Sequence, residues 1–196
     1  MAVAPQHWLS IARLVVGVVT WVLMPRANQS AAILPLVLLA CVFDFADGRV
    51  ARARGTEGPA GRVLDNLCDF AFLAMFFHAA AAIALWSEPV DGVSVRWWRR
   101  ANELPLLALA LSFGSYALRA AFSAVRAVPL APSPIGRAAG VLNYVLALLG
   151  AVAVSLHWGR PSLLVEGAMV VVTAVNVAAC AQNWLLLVRP PAGERA

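Results

Sequence analysis

The sequence predicts an all-α protein that crosses a membrane six times, and three observations predict it. Of its 196 residues, 62% are hydrophobic, whereas a soluble domain is nearer half apolar. Mean hydropathy is +0.79. Apolar runs of about 17–25 residues, the length that spans a bilayer, recur along the whole chain. An anchored soluble domain would confine such runs to one place, so a polytopic membrane protein is expected. No internal repeat is visible, and residues 1–196 read as a single transmembrane domain.

The first predicted helix runs from Trp8 to Met24 and stops at Pro25, which cannot continue a helix. It is not read as a signal peptide, because a basic leader is missing and Pro25-Arg26-Ala27 is a poor cleavage site. After a polar turn, Arg26–Ser30, the second helix starts near Ala31 and carries its apolar run through Phe43 to Asp44 and Asp47. The basic, glycine-bearing segment Arg49–Gly61 reads as a loop or broken helix. The third helix covers Arg62–Trp86. A polar loop, Ser87–Asn102, holds the aromatic-basic patch Arg96-Trp97-Trp98-Arg99-Arg100. The fourth helix is expected over Glu103–Val125, followed by a proline-rich loop, Arg126–Gly136. The fifth covers Arg137–Trp158, Gly159-Arg160-Pro161 turns the chain, and the sixth covers Ser162–Val188.

Six crossings put both termini on one side. The fifteen basic residues are all arginine. Ten of them (Arg13, Arg49, Arg52, Arg54, Arg62, Arg119, Arg126, Arg137, Arg189, Arg195) fall on the side of the termini, and five (Arg26, Arg96, Arg99, Arg100, Arg160) on the other. Basic residues favour the cytoplasmic side. Both termini and the Asp44–Asp69 stretch are therefore expected in the cytoplasm of a multi-pass protein of the cell membrane. Trp21, Trp86, Trp97, Trp98 and Trp158 then gather at the outer interface as an aromatic belt. In a membrane protein the net charge of +5 points to anionic lipid head groups or an anionic substrate rather than to nucleic acid. Cys41, Cys68 and Cys180 have no metal-ligand spacing and read as small core residues.

The chemistry is concentrated in Asp44–Asp69. Asp44 and Asp47 are spaced i, i+3, and Asp65 and Asp69 i, i+4, so each pair shares a helix face. Antiparallel second and third helices would bring the pairs to one cavity. Two carboxylates about 4 Å apart repel by about 4 kcal/mol at an effective dielectric of about 20. Either some of the carboxylates protonate or cations bind, and all-carboxylate oxygen ligation suits Mg²⁺ or Mn²⁺. Four carboxylates suit two ions, the arrangement that clamps the attacking and leaving oxygens of a phosphoryl displacement. Gly48 and Gly61 allow close backbone approach to a phosphate, and Arg52 offers a planar donor for one.

These residues resemble the signature D-x2-D-G-x2-A-R-x8-G-x3-D-x3-D of the CDP-alcohol phosphatidyltransferase family. Asp44, Asp47, Gly48, Ala51, Arg52, Gly61, Asp65 and Asp69 meet every fixed position. The six-helix plan, with the active site at the cytoplasmic end of helices 2 and 3, is also similar. The resemblance implies metal-dependent transfer of a phosphatidyl group from CDP-diacylglycerol to the hydroxyl of a small alcohol or alcohol phosphate, releasing CMP. It implies Asp44, Asp47, Asp65 and Asp69 as metal ligands, with Asp69 also the general base. Gly48, Ala51, Arg52 and Gly61 would line the nucleotide site, and a homodimer is expected.

A second likeness lies at Gln6–Arg13, where lipid-synthesising members often carry P-N-x-x-T-x-x-R. Ser10 and Arg13 fit, which implies that they face the nucleotide; Gln6 and His7 replace the proline and asparagine. Ser115-Tyr116-Ala117-Leu118-Arg119 is similar to a family S-Y-x-R-A-R stretch with the arginine displaced. Ser133-Pro134-Ile135-Gly136-Arg137 resembles the S-x-x-G-K-x-K-T of glycerol-phosphate users, with Ala139 and Gly140 replacing the second lysine and the threonine. Arg119, Arg126 and Arg137 are therefore candidates to bind an anionic acceptor. Two other classes fit less of the sequence. Intramembrane prenyltransferases keep their aspartate motifs far apart in longer chains, whereas Asp47 and Asp65 are 18 positions apart (65 − 47). A divalent-cation carrier would not need the Gly48–Ala51–Arg52–Gly61 frame.

Overall fold

The computed structural model describes residues 5–54, 59–85, 95–126, 130, 133–156 and 163–188. The side chains of 5–7, 27–29, 48, 51–52, 54, 59–62 and 95–99 are excepted. Six α-helices and one 3-10 turn make up these residues, with no strand among them. Helix α1 is Pro5–Leu23, α2 Ile33–Arg54, α3 Pro59–Ala82, α4 Val95–Val125, α5 Pro134–Ser155 and α6 Leu163–Val188; the 3-10 turn Ala27–Ala32 leads into α2. Five spans, on α2 to α6, are long and apolar enough to cross a membrane. The apolar part of α1, Trp8–Leu23, is shorter. The outward faces stay apolar, with Val15, Val18 and Val22 on α1 and Val170, Val171 and Val177 on α6 all exposed. A soluble monomer rarely shows such faces; they are compatible with a polytopic membrane protein.

Each helix buries one stripe. On α1 it is Ser10, Arg13, Val16 and Thr20, continued by Met24 just past its end; on α6, Val165, Met169, Val172, Asn176, Ala179 and Asn183. These steps of three and four follow the 3.6-residue turn. The phenylalanines Phe72, Phe76 and Phe77 of α3 fill the centre with Ile33, Val37, Leu146 and Val165. Helix α1 packs on α2 and α3, α4 on α3 and α6, and α5 on α2 and α6. Gly17 lets α1 come close to α3: a Cβ there would stand 2.6 Å from Met75 Cε and 3.4 Å from Phe72 Cα. Arg13 lies one turn before Gly17 on the same face, so this approach aims it at α3. At the opposite end Ser155 of α5 donates to the Ser30 carbonyl and accepts from the Leu34 N–H, tying down the start of α2.

Several expected boundaries are corrected. Helix α2 runs on through Arg54 and α3 starts at Pro59, so of the two readings of Arg49–Gly61, loop or broken helix, the described residues fit the broken helix. Arginine and alanine are strong helix formers, and proline at a helix start lacks only an N–H that would be unpaired there. Helix α2 also starts later than Ala31, after the 3-10 turn, and α3 ends at Ala82 instead of Trp86. Helix α4 begins at Val95, which moves the aromatic-basic patch onto a helix. Helix α5 begins at Pro134 and ends at Ser155, with Ser133 as its cap accepting from the Gly136 N–H. Trp21 lies half exposed against His78, at 6.3 Å between ring centroids. Trp86, Trp97, Trp98 and Trp158 fall outside the described side chains. Cys68 is buried, Cys41 and Cys180 are half-buried, and all three are free thiols.

Candidate active site

One end of the bundle collects the C-terminal halves of α2, α4 and α6 and the N-terminal halves of α1, α3 and α5. Asp44 of α2 meets Asp65 and Asp69 of α3 there, with one carboxylate oxygen from each within 4.8 Å of the others. The guanidinium of Arg13, fully buried, stands among them. Its Nη1 donates to Oδ1 of Asp44 and of Asp69, and its Nη2 donates to Asp65 Oδ1 at 2.5 Å. From α5 the hydroxyl of Tyr144 donates to Asp69 Oδ1 at 2.5 Å. Asp47 is buried beside this group, and its Oδ2 accepts from Ser10 Oγ at 2.6 Å. A step of three residues on a helix turns about 60° from a full circle, so Asp47 is directed to α1 while Asp44 faces α3.

Three carboxylates around one guanidinium leave two negative charges uncompensated, and Asp47 adds a third. The three carboxylates supply only oxygen ligands, one from each within 4.8 Å of the others, a spacing one cation can bridge in place of the Arg13 guanidinium. Asp44, Asp65 and Asp69 can thus hold a divalent ion, and the hard oxygen set suits Mg²⁺ or Mn²⁺.

Asp44 and Asp69 also line a cavity of about 570 Å³ that runs between α3, α4, α5 and α6. Its walls include Asn66, Tyr116, Ser112, Tyr144, Asn143, Asn176 and Asn183. Asn66 donates to the Tyr116 hydroxyl at 2.8 Å. Asn143 and Asn176 bond each other in both directions, at 2.9 and 3.2 Å. Phe70 stacks on Phe113 at 4.3 Å on one side. Arg119 and Arg137 line the cavity as well. Arg119 is buried, and its Nε and Nη1 find no partner. The cavity therefore has carboxylates in one part and guanidinium groups in another.

A family model described as CDP-alcohol phosphatidyltransferase matches residues 4–182, nearly the whole chain. The chain belongs to this family. It is also 34% identical over 70 residues to a CDP-diacylglycerol–serine O-phosphatidyltransferase of Mycobacterium leprae (strain TN); the stretch covers 36% of this chain and 22% of that relative. No solved structure matches.

Of the family's signature positions, the structure brings Asp44, Asp65 and Asp69 together and sets Asp47 next to them on Ser10. Gly48, Ala51 and Arg52 lie on the last turns of α2 and Gly61 on the first turn of α3; their side chains are outside those described. Ser10 and Arg13 reach the carboxylates directly. Arg119 and Arg137 line the cavity, whereas Arg126 is exposed with its guanidinium 5.5 Å over the Phe122 ring. Sequence reasoning assigned no role in the site to Tyr144, Asn143, Asn176 or Asn183. The signal for them was present as polar side chains inside otherwise apolar spans.

Proposed function

We propose that this protein transfers a phosphatidyl group from CDP-diacylglycerol to the hydroxyl of a small alcohol or alcohol phosphate, releasing CMP. The observation that carries the reading is one cavity joining the Asp44–Asp65–Asp69 group to Arg119 and Arg137. Asp44, Asp47, Asp65 and Asp69 form the ligand set for two Mg²⁺ or Mn²⁺ ions. Bound there, the metal supplies positive charge for the donor diphosphate and the departing CMP. Asp69, open to the cavity, takes the proton of the acceptor hydroxyl. That oxygen bonds to the phosphorus carrying diacylglycerol, and the diphosphate bridge breaks with its electron pair leaving on CMP. Tyr144 holds Asp69 in place by its hydrogen bond. Ser10, Arg13, Gly48, Ala51, Arg52 and Gly61 face the cytidine diphosphate, and Arg119 and Arg137 receive the acceptor's negative charge.

In this reading the chain is a single domain spanning the cell membrane six times, with both termini and the site cytoplasmic, and it pairs as a homodimer. The serine transferase relative makes serine one acceptor to test beside alcohol phosphates. The purified protein in detergent, with Mg²⁺ or Mn²⁺ and CDP-diacylglycerol, is given glycerol 3-phosphate, inositol 1-phosphate, inositol, serine or phosphatidylglycerol. The expected result is CMP release with one acceptor, abolished by EDTA and by Asp69→Asn. Metal-independent release, or release that survives Asp69→Asn, would falsify these assignments.

A further inference from the structure

The cavity wall formed by α4 and α6 carries a chain of hydrogen bonds. Ser115 donates its hydroxyl proton to the Ser112 carbonyl at 2.8 Å. Its Oγ then presents lone pairs to α6, where Asn183 Nδ2 donates to it at 3.1 Å and lies 3.5 Å from the same Ser112 carbonyl. The Ser112 carbonyl only accepts, and the Ser115 hydroxyl, with its proton given to that carbonyl, accepts as well. The amide nitrogen is assigned toward them on this network, since the reversed amide would set oxygen against a carbonyl oxygen. Asn183 Oδ1 is left facing away, buried and without a partner. One turn beyond Ser115 on α4 stands Arg119, whose Nε and Nη1 are equally buried and unpartnered. Both residues line the cavity. Buried polar groups are almost always paired. Here a cation on α4 and a hydrogen-bond acceptor on α6 are both left open on one wall.

We infer that Asn183 and Arg119 together select the acceptor alcohol. Arg119 takes its anionic group, and Asn183 Oδ1 takes an O–H or N–H donor on the carbon next to that group. The reacting hydroxyl is a third feature and lies toward Asp69. The substrate class is thus an anionic alcohol with an additional donor beside its charge, a description that covers hydroxylated phosphates and amino acids alike. This inference rests on the phosphatidyl-transfer reading. It assigns Asn183 a role in specificity that neither the family signature nor the acceptor arginines supply.

The test deletes the donor from the substrate. Glycerol 3-phosphate is compared with 3-hydroxypropyl phosphate, serine with 3-hydroxypropanoate, and inositol 1-phosphate with analogues lacking one hydroxyl beside the phosphate. CMP release from CDP-diacylglycerol is the readout. A site that hydrogen-bonds a substrate group rejects the analogue without it by large factors. For the acceptor that is used, the wild-type protein is expected to favour the complete molecule at least tenfold in kcat/KM. Asn183→Leu should reduce that preference to less than about threefold, chiefly by slowing the complete acceptor. The wild-type comparison needs no variant, so it stands even if Asn183→Leu fails to fold. Equal use of complete and deleted acceptors overturns the inference and leaves the transfer reading intact. Preference retained in folded Asn183→Leu also overturns it. No CMP from any acceptor overturns the transfer reading, and this inference with it.

Discussion

The two charged parts of the cavity are built in opposite ways. Around Asp44, Asp65 and Asp69 every carboxylate meets a guanidinium nitrogen of Arg13, and Asp69 also meets a tyrosine hydroxyl. At Arg119 a buried guanidinium has two nitrogens with no partner. The acidic part is held together from within by a residue of another helix. The basic part is left electrically open. In a protein interior an unpaired charge is costly, and a surface that keeps one is suited to a ligand that brings the opposite charge.

The sharpest way to break this comparison is Asp69→Asn, which removes the proposed base. CMP release is expected to fall by about 10²- to 10⁴-fold, while metal-dependent binding of CDP-diacylglycerol, followed by tryptophan fluorescence, persists. Next is Arg13→Gln. Breaking a buried ion pair by removing one partner costs about 3–5 kcal/mol, so metal-free protein should unfold at markedly lower denaturant or temperature. Added Mn²⁺ should restore stability to the variant by more than it stabilises the parent, because the carboxylates have lost their internal cation. A metal-free Arg13→Gln protein as stable as the parent would remove internal neutralisation from the account.

Arg119→Gln should separate the two regions further. It leaves stability unchanged or slightly higher, since no internal pair is lost. It raises the acceptor KM by about 10- to 100-fold, the loss of a hydrogen bond to a charged group. Unfolding curves and acceptor titrations on one preparation decide this, and a large loss of stability would count against an open basic site. The smallest effect is expected at Tyr144→Phe. Deleting one hydrogen bond to Asp69, worth about 1.5 kcal/mol, should lower kcat about tenfold with little change in acceptor KM. An unaltered kcat would leave Tyr144 as a packing residue beside Phe72, with which it stacks at 5.9 Å.

Much of the acidic region could be read from the sequence, because Asp65 and Asp69 share one helix and Asp44 ends an apolar run on the preceding one. Local spacing carries that information. Contacts that cross the bundle do not follow from spacing. Arg13 is 31 positions from Asp44 and Tyr144 is 75 positions from Asp69, so both depend on how α1 and α5 dock. Asn183 was visible as a polar residue in an apolar span, but its free oxygen follows only from Ser115 and Ser112 standing opposite it. The segment after Asp47 was left open between two readings for a different reason. Its glycine and basic residues allowed a loop or a broken helix; Arg49–Arg54, rich in alanine and arginine, prolongs α2, and Pro59 starts α3.

Arg13 also imposes an order on how the molecule is made. Helix α1 is synthesised before α2 and α3, and an arginine left alone in the middle of an apolar helix in a bilayer costs about 2.5–3.5 kcal/mol on insertion scales. Its partners emerge 31, 52 and 56 residues later. Until α2 has been synthesised, α1 carries a cation with no carboxylate to meet it, and two of its three partners come only with α3. The third helix thus completes the neutralisation of the first helix's cation together with the acidic cluster.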